Sequence, residues 1–341
     1  MQKVPVSNAR GARRAGLVAL TLTLGAGVAQ AADVYALTVQ GMLIRFDTSS
    51  PGMVTPIGVV SGAGGMVSQY AGIDFRPATS QLYLAEQGMS GPSRLYTLSL
   101  ADASATLAST MSTGLSGEWF GVDFNPVPDR LRTTSNTGQN LRTNVDTGLV
   151  AVDMPLGYAA GDMSAGVMPS VVGSAYTNSL FGAVGGSTTL YNLDAATGNL
   201  VTQIPPNNGT LNTVGGLGVA LNGEVGFDIY FNGSSNAAYA SIQSAMHGGS
   251  DFYRINLMTG AATFIGTIGG GVAIRDFSVI PSPMSAAVLG LGAIAGLRRR
   301  RFFCACENAA GLSLWCGDGP PPEIGPGGTP DGFPRAAHLC G

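Results

Sequence analysis

The chain has 341 residues, 45% hydrophobic and 11% charged, with 51 glycines, a profile that suits a sheet protein with many tight turns. Between residues 33 and 281 it carries eight arginines, no lysine and sixteen acidic residues, so this stretch has a net charge near −8, and it contains no cysteine. A surface of that sign repels phosphate backbones, which argues against nucleic acid as a partner, and the missing thiols exclude cysteine redox chemistry there.

In chain order, residues 1–32 read as an export signal. Lys3, Arg10, Arg13 and Arg14 form a basic start, residues 15–28 are an apolar run, and Ala29-Gln30-Ala31 has the small-x-small pattern of a cleavage site. The competing reading is a buried N-terminal helix. A cleaved chain would begin near Ala32 or Asp33, outside the cytoplasm.

Three segments that alternate apolar and polar residues follow, "VYALT", "LIRFDT" and "VTPIGVV". A repeat then becomes visible. "AGIDFRP" at Ala71, "FGVDFNP" at Phe120, "VGSAYTN" at Val172, "VGFDIYF" at Val225 and "AIRDFSV" at Ala273 align with Asp74, Asp123, Ala175, Asp228 and Asp276 in the fourth place, at intervals of 49, 52, 53 and 48 residues. Periods of roughly 40 to 50 residues indicate propellers or solenoids.

The first four hits are each followed by a second strand, "QLYLA", "DRLRTTS", "NSLFGAV" or "AAYASI", and then by a third, "RLYTLSL", "NLRTNVD", "TLYNLDA" or "FYRINLM". Thr-Gly pairs at 147–148, 197–198 and 259–260 end three of the third strands, where glycine supplies a positive φ for the turn into "LVAVDM", "LVTQI" and "ATFIGTI". Four strands per unit describe a propeller blade. The N-terminal strands lack a first strand and "AIRDFSVI" is a lone one, so together they complete a unit. The predicted fold is all-β: residues 33–281 as a β-propeller of five four-stranded blades, closed by pairing of the N- and C-terminal strands, which removes free edges. The extra residues around "PPNNGTLNTVGGLG" are the weak point, readable as a long loop or a stray hairpin.

Residues 282–301 form a second address. Ile280-Pro281-Ser282-Pro283 precedes the apolar stretch 284–297 and four arginines at 298–301; the apolar part is shorter than the roughly 20 residues that span a bilayer unaided. The arrangement resembles the PEP-CTERM bacterial sorting signal, with Ser where Glu usually stands between the prolines. The resemblance implies an exosortase-type processing enzyme as partner and transient membrane contact through 284–301; the competing reading is a plain short anchor. Residues 302–341 hold Cys304, Cys306, Cys316 and Cys340 in a Pro/Gly-rich stretch without periodicity, which reads as a disordered tail.

"GVDFNPVPDRLRTTSNTGQNLRTNVDTG", "IPPNNGTLNTVGGLGV" and "GTIGGGVAIRDFSV" together resemble a secreted bacterial family known only as domain of unknown function 4394. That resemblance implies the propeller boundaries and the exported state, and it brings no catalytic residue.

The residues themselves nominate few sites. The body holds one histidine, His247, in "SAMHGGSD", which reads as a solvated loop residue, and no nucleophile motif accompanies it. The repeated aspartates Asp74, Asp123, Asp228 and Asp276 would stand at one level around the axis, with Ala175 breaking the ring. Their hard oxygens suit a calcium ion in the channel. Alternatively each carboxylate turns between blades to hold the next blade's amides or an arginine. Arg132 and Arg142 read as partners of nearby acids, and Trp119, beside Glu118, either fills a gap between blades or stacks on a sugar. The expectation is an exported, cell-surface or matrix-associated, non-catalytic binding propeller for extracellular polysaccharide or a surface protein. The alternative is a calcium-dependent hydrolase or lactonase using the channel carboxylates.

Overall fold

The computed structural model describes residues 32–281, apart from Ser90 and residues 181–185. The expected export signal up to residue 31, the sorting segment and the Cys-containing tail lie outside the described residues.

The chain opens with an antiparallel meander of β1 (Ala32–Thr38), β2 (Met42–Asp47) and β3 (Ser50–Val59). A complete four-stranded blade follows, β4 (Tyr70–Arg76), β5 (Gln81–Glu86), β6 (Arg94–Leu98) and β7 (Ala105–Thr110), and then another, β8 (Phe120–Asn125), β9 (Arg130–Ser135), β10 (Asn140–Thr143) and β11 (Val150–Val152). A two-residue strand, β12 (Gly157–Tyr158), precedes β13 (Val171–Tyr176), β14 (Leu190–Asp194), β15 (Asn199–Gln203) and β16 (Thr210–Gly216). The last full blade is β17 (Val225–Phe231), β18 (Asn236–Ser244), β19 (Gly249–Ile255) and β20 (Ala262–Thr267), and β21 (Ile274–Pro281) ends the described chain. The helical turns among the described residues are three short 3-10 segments.

These strands make a five-bladed all-β propeller closed as expected: β21 pairs with β1, so the first blade runs β21-β1-β2-β3, with Ala32 opposite Pro281. The innermost strands β21, β4, β8, β13 and β17 stand around the axis. Each begins on one face, here called the entry face, and finishes on the opposite, exit face. Because Ala32 and Pro281 are partners, both ends of the described chain lie at the exit face.

The fourth blade departs from the sequence reading. "TLYNLDA" supplies the second strand, β14, paired with β13 from Val171–Asp194 to Tyr176–Leu190; "LVTQI" supplies the third, β15; and "TLNTVGG" supplies the fourth, β16. Of the segment expected as second strand, 178–180 are not in a strand and the rest lies outside the described residues. The doubtful loop is thus a strand, and β12 adds to its outer edge in parallel.

The difference has a local cause. Asn144 to Gly148, Asn256 to Gly260 and Asp194 to Gly198 are the same turn: the final glycine N–H donates to the first residue's carbonyl at 2.8, 2.8 and 2.9 Å, and the glycines have φ of 73°, 81° and 69°. In the third and fifth blades this turn joins third to fourth strand; in the fourth it joins second to third.

Between blades lies the core. Leu37, Leu43, Ile73, Phe75 and Leu84 pack the first against the second blade; Tyr83, Leu95, Phe124 and Leu131 the second against the third; Leu193, Leu200, Phe227 and Ile229 the fourth against the fifth; and Phe46, Tyr230, Phe252 and Phe277 the fifth against the first. The seam between the third and fourth blades is largely polar instead. The repeated glycine two residues before the ring position makes the inner seams possible. A Cβ on Gly121 would overlap Ser174 Oγ, and one on Gly72 would overlap Asp276 Oδ2. Only a bare backbone lets neighbouring inner strands approach this closely.

Candidate functional site

The four aspartates sit at one level of the inner strands, all buried, and each reaches the next blade. Asp276 Oδ2 accepts from Ile73 N–H at 2.9 Å, Asp74 Oδ2 from Phe124 N–H at 2.7 Å, Asp123 Oδ1 from Tyr176 N–H at 3.1 Å, and Asp228 Oδ2 from Val279 N–H at 2.6 Å. Four seams therefore carry the same carboxylate-to-amide latch. The seam from fourth to fifth blade has Ala175 at the ring position, packed in the apolar cluster around Phe227 and Ile229. There Asn178 and Asn236 join the blades at the exit face, with two hydrogen bonds of 2.8 Å.

The latches converge as well as link. One carboxylate oxygen from each of Asp74, Asp123 and Asp228 lies within 4.8 Å of the other two, a spacing a metal ion could bridge, and Asp276 does not join that group. Ser278 Oγ donates to Asp74 Oδ1 at 2.6 Å and lies 3.2 Å from Asp228 Oδ2. Burial, then the charge of Asp228, holds Asp74 well above the usual carboxylate range; burial, then the charges of Asp74 and Asp228, does the same for Asp123. Burial lifts Asp276 likewise and pushes Asp228 up to about 6. The amide bonds favour the charged forms, but desolvation prevails.

Arg132 and Arg142 meet acids, as their sequence context suggests. Arg132, 1% exposed, donates to Asp153 (2.5 Å), Asn140 (2.7 Å), Asn207 (2.9 Å) and Tyr176 Oη (3.2 Å), while Arg142 makes bonds of 2.7 and 2.8 Å to Asp153. This is the polar seam between third and fourth blades, extended by Gln203 on Asn140 and by Ser174 between Thr134 and Asn192. Its partners Asp153, Asn207 and Gln203 carry no repeat signal in the sequence. At the preceding seam Arg76 acts in a similar way, gripping Asp129 and Asp146 across the exit face.

His247 is not simply solvated. It is 39% exposed, yet its Nδ1 lies 2.8 and 3.0 Å from the carboxylate of buried Asp251, which also accepts from Thr267 Oγ1 at 2.8 Å. The aspartate four residues on in "HGGSD" is the signal that could have found this pair. Ser244 Oγ approaches the same nitrogen, at 3.3 Å, so serine and aspartate do not flank the ring in the manner of a proton relay.

At the entry mouth of the axis, Glu118 and Trp119 precede β8, Glu224 precedes β17, and Arg275 follows buried Ile274 at the start of β21. Arg275 Nη1 is 2.8 Å from Glu224 Oε1, and its side chain is 10% exposed. Burial raises the Glu224 carboxyl, Arg275 lowers it, and the nearby Glu118 charge raises it again. Trp119 is half-buried and packs on the core shared by the fourth and fifth blades, so its ring does fill space between blades while leaving part of it open.

The sequence profile of the family described as "Domain of unknown function (DUF4394)" matches residues 42–278. The chain belongs to the DUF4394 family. The DUF4394 match starts at β2 and so omits β1, which the fold places between β21 and β2. No curated protein matches this DUF4394 sequence. Among solved structures it is similar to TolB from Acinetobacter baumannii, with 8% identity, TM-score 0.38, and coverage of 74% of this chain and 67% of TolB. It is also similar to a candidate 6-phosphogluconolactonase from Bacteroides uniformis, with 14% identity, TM-score 0.36, and coverage of 75% and 87% of the two chains. Sqt1 from Saccharomyces cerevisiae matches with 12% identity and TM-score 0.35 over 73% and 83%. At these identities no activity passes to the DUF4394 chain.

Proposed function

We propose that the protein is an exported, cell-surface or matrix-associated propeller that binds extracellular polysaccharide or a surface protein and performs no catalysis. The observation that carries this reading is the pairing of Ala32 with Pro281. The two ends of the described chain, to which the expected export signal and sorting segment would attach, are then neighbours at the exit face, so an exosortase-type enzyme could process the tail without unravelling a blade. The entry face, with its longer loops, remains available for a ligand. The carboxylates of the axis serve in blade-to-blade bonds, which fits a scaffold role.

The test is fractionation of cells expressing the full chain, with and without an exosortase-type enzyme. The expected result is a chain shortened at both ends and located on the surface or in the medium only when the enzyme is present. Full-length protein retained in the cytoplasm would refute the proposal.

One observation favours a second reading, the calcium-dependent hydrolase or lactonase. Asp74, Asp123 and Asp228 converge within 4.8 Å and no cationic side chain bonds to them among the described residues. An all-oxygen set of this kind takes a hard cation such as calcium, with Asp276 outside the coordination group. Under this reading millimolar calcium raises the melting temperature at pH 7, chelation reverses the rise, and Asp123→Asn abolishes it. A melting temperature indifferent to calcium rules it out.

A further inference from the structure

We infer that the entry mouth of the axis, formed by Glu118, Trp119, Glu224 and Arg275, is the ligand site of this propeller and accepts a cationic amino-sugar polymer. The inference rests on the binding reading above and names its site and ligand class.

The loop that presents Glu118 and Trp119 is built in advance of any ligand. Glu118 N–H and Trp119 N–H both donate to Asn136 Oδ1, at 2.9 and 3.3 Å, and Asn136 N–H returns a bond to the Trp119 carbonyl at 3.0 Å. Ser116 N–H donates to Gln139 Oε1 at 2.9 Å, Thr137 Oγ1 to the Ser116 carbonyl at 3.0 Å, and Gln87 Nε2 to the Gly117 carbonyl at 3.1 Å. Gly117 has φ of 144° and lies so close to Ser135 and Asn136 that a Cβ there would stand 2.8 Å from each. Side chains of two blades thus fix a surface loop that leaves the Glu118 side chain, like that of Ser116, exposed. Such fixing lowers the ordering cost of binding.

The chemistry of the mouth selects the ligand. Trp119 is half-buried, and an indole of this kind supplies an apolar surface for ring C–H groups and a negative π-face for a cation. Glu118 is a carboxylate with no ion-pair partner among the described residues, and its charge is felt at Glu224. The Glu224–Arg275 pair adds an acceptor and a donor for hydroxyls. Two carboxylates against one guanidinium leave the mouth negative, and the body around it is acidic, with sixteen acids to eight arginines between residues 33 and 281. Acidic polysaccharides are repelled by this field. A lysine-rich peptide would satisfy the carboxylates, and its carbonyls could accept from Arg275, but it brings no saturated ring to lie on the indole. A deacetylated glucosamine polymer matches every group: ring on Trp119, ammonium on Glu118, hydroxyls on Glu224 and Arg275.

The test is titration of the full-length protein, by calorimetry and tryptophan emission, with four probes: a glucosamine hexamer, its N-acetylated counterpart, an oligogalacturonate and hexalysine. The hexamer is expected to bind saturably, at least tenfold more tightly than the other three, and more weakly as salt rises. Trp119→Ala and Glu118→Gln are each expected to weaken it at least tenfold, with Glu118→Gln melting within a few degrees of the parent and Trp119→Ala, which also loses packing on the core, still unfolding cooperatively, and Asp102→Asn, on the exit face, is expected to leave binding unchanged. Equal binding of hexalysine or of the acetylated hexamer would overturn the ligand class, and hexamer binding insensitive to both mouth variants would overturn the site. A parallel pull-down on insoluble polysaccharides separates the two levels. Retention on any of them together with insensitivity to the mouth variants sinks this inference alone, whereas no retention and no titration sinks the polysaccharide part of the binding reading as well.

Discussion

Asp228 shows how one residue can be a structural bond and a liability together. Its carboxylate accepts the Val279 amide at 2.6 Å, yet burial pushes its pKa up to about 6. A folded-state pKa above the unfolded value means that the folded form holds the proton more tightly, so the associated stability is complete below about pH 4 and declines as pH rises through 6. Asp74, Asp123 and Asp276 shift in the same direction. The melting temperature in chelator is therefore expected to be higher at pH 4.5 than at pH 7.5, with Asp228 alone worth on the order of 2 kcal/mol over that interval. Asp228→Asn, which keeps an acceptor and removes the charge, should flatten that slope in a series of thermal melts. Arg132 represents the opposite case, a buried charge fully partnered by Asp153, Asn140, Asn207 and Tyr176. Arg132→Ala strands Asp153 with Arg142 alone and opens the polar seam, and urea unfolding should register a loss of about 3 to 5 kcal/mol.

In β4, β8 and β17 glycine and aspartate cooperate at a separation of two, on the same side of the strand. Glycine removes the Cβ so that the next strand can approach, and aspartate uses the approach to bond its amide. Gly121→Ala, whose new methyl would overlap Ser174 Oγ and stand 2.5 Å from Ser174 N, is expected to cost about 2 kcal/mol in denaturant melts. The fourth inner strand is instructive because it keeps Gly173 but replaces the aspartate with Ala175, buried beside Phe227 and Ile229. Completing the ring with Ala175→Asp is expected to destabilise the fold by several kcal/mol, since the carboxylate enters an apolar cluster. An Ala175→Asp variant as stable as the parent would show that the ring, and not the local packing, governs this seam. The same blade shows why strand order is not legible there: the turn from Asp194 to Gly198 obeys the chemistry of its counterparts, but nothing local says which pair of strands it joins.

At the scale of the molecule, the closure of the first blade decides whether a propeller exists at all. β21 supplies Asp276 and Ser278 to the axis and covers the edge of β1. A chain ending at residue 273 is expected to lose its cooperative thermal transition and to elute as aggregate in size-exclusion chromatography, because an unpaired inner edge invites association. The sequence by itself determined the architecture, since a period near 50 residues with alternating strands leaves few ways to bury each sheet, and the orphan strands at the two ends had to meet. It also marked Asp74, Asp123, Asp228 and Asp276 as one set, because repetition is visible along a chain. Only the tertiary structure decided what those aspartates do, for the amides they accept from lie some 50 residues away or at the other end of the chain. It alone assembled Glu118, Trp119, Glu224 and Arg275 into one mouth, because they come from the entries of three inner strands that are far apart in sequence and meet only where five blades converge on an axis.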